Sequence, residues 1–169
     1  MHSILESFAR FVATALKSGR AAIAIITESH RGGLVSRLKA EGVDVDAAIE
    51  LGIFTQLGVA ETLSTFMVND MPDAKRFFEV ARGYIEAAAK AARQDHSYVV
   101  VCGECAPTLL AEGKADAAIR VEQLFNQVGK TFGLNLFCGY ALSSFHGQED
   151  EHVFQSICAE HSAVHSHRD

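Results

Sequence analysis

Two polar side chains follow apolar runs that have the length of buried strands. Glu104 comes after residues 98–102 and Gly103, and Tyr140 lies near the end of the run 134–142. A carboxylate that loses water needs a hydrogen-bond donor, a cation or a proton, and a buried phenol needs a partner for its hydroxyl. We therefore predict that Glu104 either lines a pocket or caps the following turn. For Tyr140, a bond to Glu104 or another protein group is favoured over a bond to a ligand.

A second polar pair lies on the segment between these two runs. Glu122 and Asn126 are four residues apart, so they share one face of a helix. Because such a pair most often faces solvent, the spacing alone does not make it a site.

The cysteines are interpreted as packing residues. Cys102 and Cys105 have the CxxC spacing, but a zinc site needs further ligands at suitable spacing, and Cys138 and Cys158 stand alone. A thioredoxin-type pair lies at the start of a helix, whereas Cys102 belongs to an apolar run. A small apolar residue fits that position.

Four histidines crowd the carboxyl-terminal end: His152, His161, His165 and His167. His161 and His165 have a spacing that can hold a metal, but histidine-rich tails bind metals adventitiously, and we predict no metal site.

The sequence also lacks common catalytic motifs. The Gly-x-Ser-x-Gly motif that would indicate a hydrolase is absent. The phosphate loop GxxxxGK(S/T) is absent, and Gly32-Gly33 without a following Lys-Ser/Thr is a poor phosphate cradle. We expect no catalytic residue and no cofactor.

The composition limits the class of protein. The chain has 169 residues, of which 49% are hydrophobic and 21% charged, as in a globular domain with a buried core. A net charge of −6 argues against direct binding to nucleic acid or to an anionic membrane surface. No apolar run approaches the ~20 residues of a membrane span, and the amino terminus lacks a secretory signal. We expect one cytoplasmic domain, residues 1–169, with reduced thiols.

Hydrophobic periodicity places these residues on an α/β fold. Strands and helices alternate, and each strand is apolar throughout, which is typical of a parallel sheet covered on both faces. Helices are predicted at 4–16, about 31–42, 44–51, 60–68, 72–88, 114–130 and 153–161. Strands are predicted at 21–26, 53–57, 98–102 and 134–142. In this scheme Pro72 opens a helix and Pro107 lies in a turn.

Short blocks along the chain have the order and spacing of a known family. They are residues 7–11 with 17–19, 21–27, 30–42, 60–67 with 72–73, 103–104 with 110–113, 120–126, 137–142 and 157–162. On these blocks the sequence resembles the MEDS domain, the methanogen/methylotroph sensory domain, over nearly its whole length.

The resemblance implies a RecA-like three-layer α/β/α core, as in the circadian-clock ATPase KaiC, used for sensing rather than hydrolysis. It also implies a ligand pocket formed by Glu104, Glu122, Asn126, Tyr140 and His161. Compared with the family pattern, we expect the usual first strand to be missing, which argues against nucleotide binding and leaves a sheet position open to a partner strand. We also expect no attached output domain, so that a signal leaves through a non-covalent partner.

Three functions remain open on the sequence. The leading hypothesis is a stand-alone, non-catalytic sensor that binds a small molecule and relays its ligand state to a regulatory protein, either a kinase or a transcription regulator. The second is a degenerate RecA/KaiC-like nucleotide-binding domain related to ATPases. The third is a homodimeric protein-interaction module.

Overall fold

The computed structural model of the protein describes residues 4–138. Within this range helices and strands alternate along most of the chain. The helices are α1 (Ile4–Lys17), α2 (Glu28–Ala40), α3 (Val45–Leu51), α4 (Val59–Phe66), α5 (Ala74–Ala92), α6 (Cys105–Ala111) and α7 (Ala115–Phe132). The strands are β1 (Ala21–Ile26), β2 (Phe54–Gly58), β3 (Met67–Val68), β4 (Met71–Pro72), β5 (Val99–Gly103) and β6 (Asn135–Cys138).

Four strands form one parallel sheet in the order β2-β1-β5-β6. The register sets Ala22 of β1 beside Phe54 of β2 on one side and beside Val100 of β5 on the other. Every residue of β1 and β5 is buried, which explains why these strands are apolar at each position rather than at alternate positions. The strand predicted at 21–26 is confirmed as β1, and the one predicted at 98–102 is confirmed as β5, shifted by one residue to Val99–Gly103.

Each face of the sheet carries a helical layer with its own core. Ala22 and Ala24 pack with α1, α2 and α3, whereas Ile23 and Ile25 pack with α4, α5, α6 and α7. This alternation follows from the period of two along a strand. The predicted three-layer α/β/α class with a mainly parallel sheet is therefore confirmed.

The two central strands lead to helices on opposite faces. α2 follows β1 and packs on the face of α1 and α3, whereas α6 and α7 follow β5 and pack on the other face. Where neighbouring parallel strands send their connections to opposite faces, a crevice opens beyond their carboxyl ends. In this chain the crevice lies between Thr27, after β1, and Glu104, after β5.

Both proline predictions are wrong, and a hairpin was missed between α4 and α5. Pro72 does not open a helix: it lies in β4, and Asp73 caps α5. Pro107 lies in the first turn of α6, where a missing N–H breaks no helical hydrogen bond. β3 and β4 pair antiparallel around Asn69 and Asp70, whose positive φ angles of 53° and 64° suit a tight hairpin turn.

Two predicted elements extend beyond residue 138, the last residue that the structure describes. The strand predicted at 134–142 corresponds to β6 as far as residue 138. Its remaining part, with Tyr140, lies outside the described residues, as does the helix predicted at 153–161, with His161.

Candidate functional site

Glu104 is held in place by the end of β5. The backbone N–H of Glu104 donates to the carbonyl of Ile25 in β1, at 2.9 Å. A Cβ on Gly103 would lie 3.4 Å from both the Cβ and the carbonyl oxygen of Ile25, so the two strands are close at this point. Only 5% of Glu104 is exposed, and its carboxylate therefore needs partners within the protein.

The partners of the Glu104 carboxylate come from the start of α2. Oε2 accepts the backbone N–H of Thr27 at 2.8 Å, and Oε1 lies 2.6 Å from Nδ1 of His30. Glu104 also precedes α6, but its side chain makes no capping bond to that helix. The hypothesis that Glu104 caps the following turn is thus wrong. Its carboxylate instead binds the amino-terminal end of α2, where the helix dipole favours a negative charge.

His30 connects the buried carboxylate to the surface. Its side chain is 39% exposed, compared with 7% for that of Glu104. Beside it, the hydroxyls of Thr27 and Ser29 lie 3.3 Å apart. The crevice therefore presents an imidazole and two hydroxyls to solvent, with a carboxylate behind them. These groups can donate and accept hydrogen bonds to a small polar molecule.

Glu122 is a second buried carboxylate, and its charge acts on the same cysteine as the charge of Glu104. It is fully buried on α7, so the expectation of a solvent-facing pair does not hold for it. Burial raises the pKa of the Cys105 thiol, and the nearby charges of Glu122 and Glu104 raise that pKa further. Both carboxylates therefore influence Cys105 electrostatically. Asn126, one turn further along α7, is half-buried.

The two thiols are inert packing groups, as the sequence predicts. Cys102 and Cys105 are free and buried. Burial, followed by the charge of Glu104, raises the pKa of Cys102 well above the ordinary thiol value. Cys105 does begin a helix, α6, but its raised pKa is the opposite of a reactive thiol at a helix start.

No metal-binding group of three or more His, Cys, Asp or Glu side chains occurs in the part of the chain that the structure describes. The histidines at the carboxyl-terminal end, His161 among them, lie outside that part. Over the same range, no helix has the length and apolar character needed to cross a membrane.

A comparison with protein-family models decides the family. The model described as "MEthanogen/methylotroph, DcmR Sensory domain" matches residues 2–156. The chain belongs to the MEDS family. MEDS is a family of sensory domains, so a sensory role is assigned to this chain. Comparisons with curated proteins and with solved structures give no match. The RecA-like character of the core thus stays a prediction, within a confirmed α/β/α fold.

Two residues of the MEDS crevice, Thr27 and His30, were not among the site residues predicted from the sequence. A signal for them exists, because they follow β1 as Glu104 follows β5, and carboxyl ends of neighbouring parallel strands share one edge of a sheet. The structure brings Glu104 and Glu122 to the same region. Tyr140 and His161 lie outside the described residues, so their predicted part in the pocket stays a prediction.

Proposed function

We propose that this MEDS domain is a non-catalytic sensor whose small-molecule ligand binds in the crevice beyond β1 and β5. The observation that carries the proposal is the 2.6 Å contact between Glu104 and His30. This contact joins the end of β5 to the first turn of α2. Glu122 and Asn126 support the pocket from α7, and Tyr140 and His161 contribute from the carboxyl-terminal part.

A ligand can act on this contact by competition. A donor on the ligand that binds the carboxylate of Glu104, or an acceptor that binds the imidazole of His30, replaces one side of the contact. α2 is then held less firmly against the end of β5. Because a ligand shifts an equilibrium only by its differential affinity for two states, the sensor has one state with this contact and one without it. The partner that responds is a regulatory protein, a kinase or a transcription regulator.

A thermal-shift screen of small metabolites tests the proposal. We expect at least one compound to raise the melting temperature of the wild-type chain, and Glu104→Gln and His30→Ala to remove that rise. Glu28→Gln is the matched control, because Glu28 is an exposed carboxylate on the first turn of the same helix. A folded sample that no metabolite stabilises, or a rise that survives both crevice substitutions, contradicts the proposal.

Nucleotide binding is a second candidate, favoured by the position of the crevice. Open α/β sheets bind nucleotides beyond the strand ends where connections diverge. Against it, Thr27 leads directly into α2, and Gly32 and Gly33 lie inside that helix rather than in a phosphate-binding loop. Binding of ATP that weakens in Glu104→Ala would favour this candidate over a metabolite sensor.

A homodimer is a third candidate, favoured by the edge strand β2. Among residues 4–138, the outer edge of β2 has no neighbouring strand. Its sequence, FTQLG, contains neither the charged residues nor the proline that commonly protect such an edge. Native mass spectrometry and light scattering would contradict this candidate by finding only monomer.

A further inference from the structure

A second cavity lies away from the crevice, between the sheet and α4, α5 and α7. Its wall includes Ile25 and Val101 from the sheet, Phe66 from α4, Phe77 and Tyr84 from α5, and Phe125 from α7. The ring of Phe77 meets Phe66 and Phe125 edge-on, with centroids 4.8 Å and 4.9 Å apart. Tyr84 is 39% exposed, so it marks the side at which the cavity meets solvent.

The chemistry of this wall selects against water and polar ligands. Among the lining residues, Thr62 and Tyr84 carry hydroxyls, and the others have apolar side chains. An ordered water needs two to four polar partners, whereas an apolar cavity stays dry and accepts apolar guests. The volume is about 40 Å³. This is more than a single water occupies and much less than the roughly 150 Å³ of a cavity that holds benzene.

Ile25 connects the cavity to the crevice. The side chain of Ile25 lines the cavity, and its backbone carbonyl accepts the N–H of Glu104 at 2.9 Å. Gly103 lies directly against the same residue. A bound molecule that shifts the backbone of Ile25 therefore also shifts the hydrogen bond that positions Glu104, and with it the contact to His30.

We propose that this cavity is a binding site for an uncharged, apolar molecule of a few non-hydrogen atoms, and that its occupancy is transmitted through Ile25 to the contact between Glu104 and His30. Binding in this cavity does not require that the crevice itself binds a ligand. So few atoms limit the affinity, and dissociation constants in the millimolar range are expected.

Xenon is a suitable probe, because it is small, apolar and uncharged. We expect a xenon titration of the whole chain, followed by methyl and histidine NMR signals, to give saturable shifts at Ile25 and Val101. The ring signals of His30 should move with the same midpoint. Benzene at its solubility limit should give no such shifts.

Substitutions on α5 provide the controls. Ala81→Leu fills the cavity from its α5 side and should weaken xenon binding at least tenfold. Ala87→Leu makes the same change at an exposed position of that helix and should leave xenon binding as in the wild type. Val80→Leu is a second filling variant if Ala81→Leu does not fold.

Three results would overturn the inference. They are the absence of saturable shifts in the folded wild type, equal xenon affinity in the filled variants, and cavity shifts that leave His30 unchanged. Benzene binding as tight as xenon binding would refute the size limit.

Discussion

The crevice and the apolar cavity meet at Ile25 and differ in almost every other respect. In the crevice, each oxygen of Glu104 has a directed partner, Thr27 or His30, from a helix on the other face of the sheet. In the cavity, rings and aliphatic side chains enclose a space with almost no hydrogen-bonding groups. A ligand of the crevice must replace specific hydrogen bonds, whereas a ligand of the cavity must fill its volume.

The same contrast applies to stability. A buried carboxylate that loses its partners carries a desolvation penalty, whereas an apolar wall that loses atoms forfeits transfer energy and leaves a void. Substitutions on the two sides should therefore differ in size and in what rescues them.

The largest effect is expected in the aromatic wall of the cavity. Phe77 is 2% exposed and contacts two other rings, so Phe77→Ala should lower the free energy of unfolding by about 3–5 kcal/mol. Phe78→Ala, at the half-buried neighbouring position, should lower it by only about 1 kcal/mol. Urea unfolding measures both. Equal losses at the two positions would mean that the cavity wall is not the better-packed part of α5.

On the crevice side, Glu104→Ala should lower the free energy of unfolding by about 2–3 kcal/mol. It leaves the Thr27 N–H and His30 without their charged acceptor. Adding His30→Ala to this variant should have little further effect, because the pair acts as one unit. The exposed Glu28→Ala serves as control, with a change within about 0.5 kcal/mol. Additive losses for Glu104 and His30 would show that the two do not stabilise the fold through their mutual contact.

The two buried thiols allow the two cores to be compared through the pH dependence of the free energy of unfolding. Cys102 belongs to the core with α1, α2 and α3, and Cys105 to the core with α4 to α7. Burial raises the pKa of both thiols above the ordinary 9.0, so above that pH the unfolded chain loses protons that the folded chain retains. Stability must then fall as pH rises, approaching about 1.4 kcal/mol per pH unit for each thiol.

Urea unfolding at about pH 8, 9 and 10 measures this fall, with Cys102→Ala and Cys105→Ala as references. Each substitution should remove the part of the slope that belongs to its thiol. If the free energy of unfolding still falls with pH as steeply in both variants as in the wild type, titratable groups other than the two thiols cause the fall. A slope removed by only one would show that one core admits water more readily than the other.

The sequence predicts the strands and the crevice position better than the partners within it. The uninterrupted apolar runs at 21–26 and 98–102 correspond to β1 and β5, and polar residues after such strands must lie at one edge of the sheet. Glu104 was found in this way. The hydrogen bond that Glu104 accepts from Thr27 could not be predicted in this way. The two residues are 77 positions apart, and only the pairing of β1 with β5 brings them together.

Predictions from single residues or short spacings were wrong where the same residue type occurs in more than one structural setting. A proline suits the start of a helix, yet Pro72 lies in a two-residue strand, and α5 begins after it because Asp73 provides the cap. Glu122 and Asn126 have the spacing of a solvated pair, but α7 turns Glu122 towards the core. The apolar cavity has no sequence signal of its own, because the residues that line it have the same apolar pattern as a filled core.

The smallest effects are expected in α2, where two adjacent glycines differ only in their surroundings. A Cβ at Gly32 would meet nothing within 4 Å, whereas one at Gly33 would lie 2.9 Å from Cδ1 of Leu5 in α1. Gly32→Ala should therefore stabilise the protein by about 0.5–1 kcal/mol through helix propensity. Gly33→Ala should gain less, since Leu5 must change its rotamer. Thermal unfolding of the pair measures the difference. Equal gains would mean that α1 and α2 pack loosely, so that the rigid side of the crevice is β5 rather than α2.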